Sequence, residues 1–186
     1  MDTIAEESKN ASRIKSEFPI MCVIGNPPYS GVSQNKNYTD NDVYKIEVGG
    51  KEKLKERKHW LDDDYVKFIR FAQWKLSEMD RGVVGFITDN SYLDGRTFRG
   101  MRKNLIDYFS EMYILNLHGD TKRKEKASDG LSDKNVFNIT QGVAIVFFIK
   151  NEKTKNQKEI NYLDLKGSSK HYKFDWLNSH QLVDIK

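Results

Sequence analysis

The stretch that decides the fold is IMCVIGNPPY, residues 20–29. Its first half, residues 20–24, is a short, continuous apolar run that Gly25 closes. A run of this kind predicts a strand buried on both faces of a parallel sheet, and Cys22 within it is expected to be a small buried hydrophobe. Ligands of open α/β sheets bind beyond the carboxyl ends of strands, so residues 26–29 lie where a functional site is expected.

Outward from this strand, the chain alternates between helical and extended patterns. Three carboxylates, Asp62 to Asp64, precede apolar residues at helical spacing, and together they predict a helix over residues 63–79. A second amphipathic helix is predicted to begin near Thr97. Short apolar runs predict further strands over residues 83–88, 112–117, 142–149 and 160–165. The alternation predicts an α/β fold built on a doubly wound sheet.

The polar stretches suggest how the chain is divided. Residues 1–17 are polar and charged, which is typical of a leader or a frayed helix. Residues 18–165 are expected to form the domain, and residues 166–186 the start of a following segment. Two long polar loops, residues 30–58 and 118–135, interrupt the domain, and long loops in compact domains are usually functional or disordered.

Composition narrows the chemistry that is available. The 186 residues carry 31 Lys plus Arg against 27 Asp plus Glu, a net charge of +4 that permits a polyanionic partner without identifying one. A single Cys and four His exclude a disulfide framework and a multi-cysteine zinc site, so we expect no metal. The longest apolar run, residues 143–149, is much shorter than the roughly 18 residues of a bilayer span, so we expect a soluble, cytoplasmic protein with no membrane partner.

Residues 26–29 have the composition of a hydrogen-bond acceptor site. Pro27 and Pro28 fix φ and lack backbone donors, which leaves a rigid segment with outward, unpaired carbonyls. Asn26 adds an amide oxygen, and the Tyr29 ring offers a flat surface on which a base can stack. The alternative is a plain loop in which Asn26 caps a backbone group and Tyr29 packs on the core.

Such a set of acceptors suits the exocyclic amine of a nucleobase. That amine offers two N–H donors, but its lone pair is delocalised into the ring, which makes it a poor nucleophile. Two acceptors, Asn26 Oδ1 and the Pro27 carbonyl, would favour the pyramidal form with a localised lone pair as the nitrogen attacks an electrophilic methyl group. No strong base is needed at the start, because the proton leaves after the nitrogen has become cationic.

The tetrapeptide at residues 26–29 resembles the catalytic motif of the S-adenosylmethionine-dependent amino-methyltransferases, above all the adenine-N6 DNA methyltransferases. With WLDDDYVKFIRFAQ at residues 60–73, it is most similar to the methyltransferase region of single-polypeptide restriction-modification enzymes, which also carry a nuclease, a helicase-like translocase and a target-recognition region. The resemblance covers most of residues 18–165. It implies that Asn26 and Pro27 hold the adenine amine and that Tyr29 stacks on the flipped base. Pro28 completes the same catalytic motif.

Two further residues match the family. Phe137 lies in a segment similar to the one whose aromatic residue closes the other face of the adenine pocket, so it would sandwich the base with Tyr29. A Phe in a loop tucked under the sheet remains an open alternative. Phe68 matches the helix residue that packs on the adenine ring of the cofactor in relatives. It also lies on the apolar face of the predicted helix, and this favours plain core packing.

Family members bind the cofactor on a glycine-rich turn, with an acidic residue on the ribose, and both precede the catalytic motif. The residues before Asn26 contain neither. We therefore interpret the chain as the C-terminal half of a methyltransferase sheet, with parallel strands plus an antiparallel edge pair, and expect it to be inactive alone. Its expected partners are DNA and the rest of the parent polypeptide, and an exposed edge or face makes self-association a reasonable expectation.

Other functions use the same motif. Enzymes that methylate glutamine side chains in proteins, or bases in RNA, can carry this tetrapeptide, and a catalytically silent nucleic-acid-binding module is a further alternative. Helicase activity is not expected within these residues, because no phosphate-binding Gly-x-x-x-x-Gly-Lys-Ser/Thr loop occurs. Two basic runs, residues 51–58 and 122–126, are either solvated loops or phosphate contacts, and their position in the fold decides between these roles.

Overall fold

The computed structural model describes residues 2–29, 31, 33, 40–56 and 59–185. Its strands are β1 (Cys22–Gly25), β2 (Arg81–Asp89), β3 (Glu111–His118), β4 (Val143–Asn151) and β5 (Glu159–Asp164). Its α-helices are α1 (Asp2–Glu17), α2 (Asp64–Lys75), α3 (Ser91–Asp94), α4 (Arg99–Tyr108) and α5 (Lys170–Ser179). Short 3-10 helices lie at Asp40–Lys45, His59–Asp62, Arg96–Phe98, Glu152–Thr154 and Leu182–Asp184.

The strands form one mixed, five-stranded sheet in the order β1-β2-β4-β3-β5. Strand β1 is parallel to β2, and β3 is parallel to β5, whereas β4 is antiparallel to both of its neighbours. The carboxyl ends of β1, β2, β3 and β5 therefore meet at one edge of the sheet. The predicted α/β fold with parallel and antiparallel pairs is confirmed. The antiparallel strand, however, does not belong to an edge pair as predicted. Strand β4 is apolar on both faces and lies inside the sheet, between β2 and β3.

Two apolar clusters, one on each face of the sheet, form the core. Successive residues of a strand point to opposite faces. On the first face Val84, Val146 and Phe148 pack under α2 and α4, and the Phe148 and Phe109 rings lie 5.3 Å apart. On the second face Leu115 and other residues of β3 and β4 pack against α5 and the segment after it. Helices thus cover both sides, as the alternating pattern predicts.

The two predicted amphipathic helices are present as α2 and α4. Asp63 is the N-cap of α2, and its carboxylate accepts a hydrogen bond from the Asp64 N–H at 2.7 Å. The helix ends earlier than predicted, because Leu76 already caps it. A 3-10 turn leads into α4, whose apolar face is buried as expected at Phe98, Met101, Leu105 and Phe109.

Strand β1 is an edge strand of the sheet, and this position overturns two predictions. Val23 packs against the first-face cluster, but Cys22 is exposed and Ile24 is 80% exposed. The predictions that β1 is buried on both faces and that Cys22 is a small buried hydrophobe are wrong. Hydrophobicity favours burial, but among the described residues the cluster on the second face reaches only as far as β2, so nothing covers this side of β1.

The two ends of the chain differ in how they meet the sheet. Helix α1 is largely exposed. Helix α5 is fixed to the second face by Lys173, whose buried ammonium group donates hydrogen bonds to the Leu117 and Lys134 carbonyls, both at 2.6 Å, and to the Asp133 carboxylate at 2.9 Å. The division into residues 1–17, 18–165 and 166–186 stays a prediction. Within the described residues, no helix has the length and apolar character that crossing a bilayer requires.

Candidate active site

The motif at residues 26–29 directly follows β1, at the edge of the sheet where the parallel strands end. Asn26 and Pro28 are exposed, Pro27 is buried and Tyr29 is half-buried. Neither the Asn26 side chain nor the Pro27 carbonyl makes a hydrogen bond with any residue that the structure describes. The alternative in which Asn26 caps a neighbouring backbone group therefore finds no support there, and both oxygens lack a hydrogen-bond partner among the described residues.

Tyr29 packs its ring against the first-face cluster, as one of the two sequence interpretations expects. Burial raises the pKa of its phenol, and the nearby Asp89 carboxylate raises that pKa further. The phenol is therefore neutral near pH 7, and the ring presents an uncharged aromatic surface. The dependence on Asp89 also places the end of β2 close to the motif.

A cleft of about 370 Å³ opens beside the motif, beyond the carboxyl ends of β2 and β3. Gly31, two residues after Tyr29, lines it, and its N–H donates a hydrogen bond to Asp63 at 2.8 Å. None of residues 26–29 lines the cleft itself. The first turn of α2 therefore joins the motif segment to the cleft.

The floor of this cleft is acidic. Asp63, Asp89 and Asp120 line it. Burial raises the pKa of Asp89, and Asp63 and Asp120 raise it further, against the opposing effect of hydrogen bonds from Ser91. No ion pair reaches Asp89 from the described part of the chain. The floor thus favours positively charged or hydrogen-bond-donating groups over anions.

Two polar atoms near the cleft lack hydrogen-bond partners within the described residues. The Tyr65 hydroxyl is buried and unpartnered, and the Tyr65 side chain lines the cleft. The Asn90 amide oxygen is also unpartnered, although its Nδ2 donates to Asn116 Oδ1 at 2.9 Å. Buried polar groups are rarely left unpaired, so these atoms mark the region as one where folding leaves hydrogen-bonding capacity unused.

The sequence prediction does not single out Asp63, Tyr65, Asp89 or Asp120 as site residues. A signal for Asp89 is present, because Asp-Asn-Ser follows directly after a predicted buried strand and at its carboxyl end. Asp63 is predicted only as part of a helix start. Tyr65 and Asp120 carry no sequence signal of their own, since only the sheet order brings their elements to one cleft.

Phe137 is half-buried and packs against the second-face cluster. Its backbone N–H donates a hydrogen bond to Asn135 Oδ1 at 2.8 Å, which fixes the turn before β4. The same loop reaches the cleft a few residues later, at Thr140 and Gln141. The loop therefore lies at the same end of the sheet as the motif. The contact of the Phe137 ring with a base stays a prediction.

Phe68 does not pack in the core, contrary to the expectation from its helical spacing. It is 47% exposed on α2, although Tyr65 and Ile69 beside it are buried. An exposed aromatic ring suits the flat adenine of S-adenosylmethionine, as the family resemblance implies. The contact of this ring with the cofactor stays a prediction.

The two basic runs occupy different positions. Lys122 and Arg123 line the cleft. In the described part of the other run, residues 51–56, no residue lines it. Glu56 in that run instead pairs with Arg99 at 2.5 Å, together with Glu47 at the same distance. The last two positions of that run, residues 57 and 58, lie outside the described residues.

The chain is similar to known proteins in sequence and in fold. A family model described as Eco57I restriction-modification methylase matches residues 4–123. No curated protein sequence matches the chain. Three similar solved structures are all large restriction-modification or DNA-bound proteins.

The first is the ATP-dependent Type ISP restriction-modification enzyme LlaBIII bound to DNA, with 31% identity and a TM-score of 0.76 over 92% of this chain. The second is a DrdV–DNA complex, with 28% identity and a TM-score of 0.78 over 98% of this chain. The third is a nuclease-deletion mutant of the Type ISP enzyme LlaGI with a DNA substrate mimic, with 28% identity and a TM-score of 0.74 over 94% of this chain. The chain spans only 12%, 18% and 17% of these proteins.

Proposed function

The chain belongs to the Eco57I restriction-modification methylase family, and on that premise we propose that it is part of a DNA methyltransferase that uses S-adenosylmethionine to modify N6 of adenine. The observation that carries the proposal is the state of the motif. Asn26 Oδ1 and the Pro27 carbonyl stand at the carboxyl end of β1 without a partner among the described residues. Two acceptors on a rigid segment, with no partner in the described part of the chain, match the two N–H donors of an exocyclic amine.

In this proposal the residues of the chain orient the base and localise its lone pair. Asn26 and Pro27 accept the two N–H bonds, which favours the pyramidal nitrogen. Pro28 keeps the segment rigid, and the neutral Tyr29 ring stacks on the extruded adenine, with Phe137 on its other face. Carboxylates near the motif favour the positive charge that develops on the nitrogen, since Asp89 raises the pKa of Tyr29 and Asp63 accepts the Gly31 N–H.

S-adenosylmethionine supplies the electrophilic methyl group. Phe68 would contact its adenine ring, and an exposed ring on α2 suits this role. The glycine-rich turn that completes such a site is expected in the upstream half of the methyltransferase, within the parent polypeptide. We therefore propose that the isolated chain neither binds the cofactor tightly nor transfers methyl groups, which calorimetry with S-adenosylmethionine tests directly.

DNA is the proposed acceptor, and the parent polypeptide is expected to include a helicase-like translocase, a nuclease and a target-recognition region. Each of the three neighbours is described with DNA, which supports this acceptor. RNA and protein glutamine remain the competing acceptors for the same motif. A comparison of methyl acceptance by DNA, RNA and protein separates them.

The test is methyl transfer from labelled S-adenosylmethionine to DNA by the intact parent enzyme. Asn26→Ala removes one acceptor and is expected to lower the rate about a hundredfold or more. Asn156→Ala is the matched control, since Asn156 is an exposed Asn in the β4–β5 connection, at the opposite edge of the sheet.

Three results would count against the proposal. They are wild-type activity in Asn26→Ala, label on a base other than adenine, and label on RNA or protein in place of DNA. Equal losses in Asn26→Ala and Asn156→Ala would also contradict it, because that pattern reports a general effect on folding.

A further inference from the structure

The cleft separates its charges between floor and rim. All four charged residues line the cleft, but Asp63 and Asp89 are buried and form its floor, whereas Lys122 and Arg123 are exposed on the loop that follows β3 and form its rim. A nucleobase is uncharged and can approach a carboxylate floor, but a phosphodiester group is repelled by it. A nucleotide therefore fits this cleft in one orientation, with the base inward and the phosphate at the basic rim.

We infer that Lys122 and Arg123 form a phosphate-binding corner that holds the DNA backbone next to the extruded base. The inference rests on the proposed function in that it takes DNA as the substrate. Lys122 is exposed, and no carboxylate of the described residues lies within ion-pair distance of its ammonium group. Its charge is available to a phosphate, and each such contact releases condensed counterions from DNA.

Arg123 contributes a guanidinium group that is already held in place. Its Nη1 and Nη2 donate to the two carboxylate oxygens of Asp94 at 2.5 and 3.0 Å. This two-pronged contact fixes the plane of the group, and the side chain remains 41% exposed. Asp120 Oδ2 also lies 3.5 Å from its Nε, so Lys122 carries the available charge of the corner, and Arg123 adds the N–H groups that Asp94 and Asp120 leave unused.

The backbone of the corner is fixed by a chain of hydrogen bonds from the sheet. Asp120 Oδ1 accepts the N–H groups of Lys122 at 2.8 Å and of Arg123 at 3.1 Å. The Asp120 N–H donates to Glu125 at 3.2 Å, and Glu125 lies 2.9 Å from His118 Nδ1 at the end of β3. His118 itself has a left-handed backbone, with φ at 54°. These hydrogen bonds therefore hold the backbone of Lys122 and Arg123 in one position beside the cleft.

The other basic run lacks these properties. Ile46 and Lys53 form an isolated antiparallel bridge, so this segment folds back on itself away from the cleft lining. Glu56 within this run pairs with Arg99, as Glu47 before it does, and none of these three residues lines the cleft. Position thus assigns phosphate contact to residues 122 and 123 and a solvated loop to residues 51–56.

The test is the salt dependence of DNA binding by the intact parent enzyme, measured by fluorescence anisotropy with a duplex that contains its target. Lys122→Ala is expected to weaken binding about tenfold at about 100 mM salt and to reduce the slope of log K against log salt by about one. Lys122→Ala with Arg123→Ala is expected to reduce the slope further. Lys53→Ala and Lys153→Ala remove the same charge elsewhere and are expected to keep the wild-type slope.

A second measurement replaces the phosphate beside the target adenine with a neutral methylphosphonate. The wild-type enzyme is expected to lose about the same tenfold in affinity. The double variant, Lys122→Ala with Arg123→Ala, is expected to lose nothing further, because both contacts are already gone.

The proposal is overturned if the double variant keeps the wild-type slope, if Lys53→Ala or Lys153→Ala lowers the slope as much as Lys122→Ala, or if the methylphosphonate weakens the variant and the wild type equally. Failure of the proposed function has a different signature. Wild-type methyl transfer by Asn26→Ala would contradict the proposed function, and it would leave the difference in salt slope between Lys122→Ala and Lys53→Ala unchanged.

Discussion

The two ends of the sheet differ in how completely their polar groups are satisfied. At the end opposite the cleft, Lys150 donates to the Leu76 and Ser77 carbonyls at the end of α2, at 3.0 and 3.1 Å. Lys158 donates in the same way to the Asp107 and Phe109 carbonyls at the end of α4, at 2.8 and 3.0 Å. Lysines at helix C-termini both pair the free carbonyls and complement the helix dipole.

The cleft end has the opposite character. Its carboxylates Asp63 and Asp89 lie at helix N-termini, and Tyr65 and Asn90 keep unpartnered polar atoms within the described residues. His118 there has a positive φ that costs backbone energy. One end of the sheet thus pairs its polar groups with lysines, whereas the other leaves hydrogen-bonding capacity unused among the described residues, and helix direction favours cations at the first end and carboxylates at the second.

The largest effect on stability is expected at Lys150, at the opposite end. Lys150→Met fills the same space but leaves the Leu76 and Ser77 carbonyls without their donor, which is expected to lower the free energy of unfolding by about 2–3 kcal/mol. Urea denaturation followed by circular dichroism measures it. Lys158→Met is the control, since Lys158 is exposed and water replaces its contacts at a cost of about 1 kcal/mol or less. Equal losses of stability in the two variants would contradict the expected difference between a buried and an exposed lysine at a helix C-terminus.

At the cleft end, substitution of Asp89 is expected to raise stability near pH 7, by less than the loss expected at Lys150. Burial raises the pKa of Asp89, so the folded state binds the proton more tightly than the unfolded chain does. Stability therefore falls as pH rises from the ordinary pKa to the raised one, and the loss is complete above it. Asp89→Asn is expected to be more stable than the wild type near pH 7, with the difference vanishing below about pH 4.

Asp94→Asn is the control for this pH dependence. The hydrogen bond from Arg123 holds the pKa of Asp94 below its usual value. Stability from this group is present at neutral pH and is lost as pH falls through the lowered pKa, so the variant is expected to be less stable than the wild type near pH 7. Denaturation midpoints across the pH range measure both variants. Shifts of the same sign would show that the two carboxylates do not differ as described.

A further gain is expected at Tyr65. Tyr65→Phe removes the buried, unpartnered hydroxyl and is expected to raise stability by about 1 kcal/mol. Tyr44→Phe is the matched control at another buried tyrosine, whose hydroxyl donates to Gln73 at 2.9 Å, and it is expected to lower stability by about 1 kcal/mol. Thermal and urea denaturation both report the sign. A loss at Tyr65 would mean that its hydroxyl is engaged in the folded protein.

The smallest effect is expected at Ile24, directly before the motif. Because Ile24 is 80% exposed, Ile24→Ala is expected to change stability by less than about 0.5 kcal/mol. Val23→Ala, one residue earlier in the same strand, removes a side chain that packs on the first-face cluster and is expected to cost about 1 kcal/mol. A large loss at Ile24 would contradict the exposed position of β1.

Much of the local structure was predictable from the sequence. Each predicted strand and both amphipathic helices are present, because the periodicity of apolar residues reports directly which side of an element is buried. The position of Asn26 at the end of a strand was predictable for the same reason. The exposure of Cys22 and Phe68 was not, because an apolar residue in a regular element is buried only where another element covers it.

The amino-acid sequence by itself determined the elements, the motif and the family to which the chain is similar, because these depend on neighbouring residues. Only the tertiary structure decided that β1 lies at an edge, that β4 lies between β2 and β3, and that one basic run reaches the cleft while the described part of the other does not. The physical reason is that strand order and the meeting of Asp63, Asp89 and Asp120 result from long-range pairing of segments. The energy of that pairing is distributed over the whole sheet, so no single stretch of the sequence indicates it.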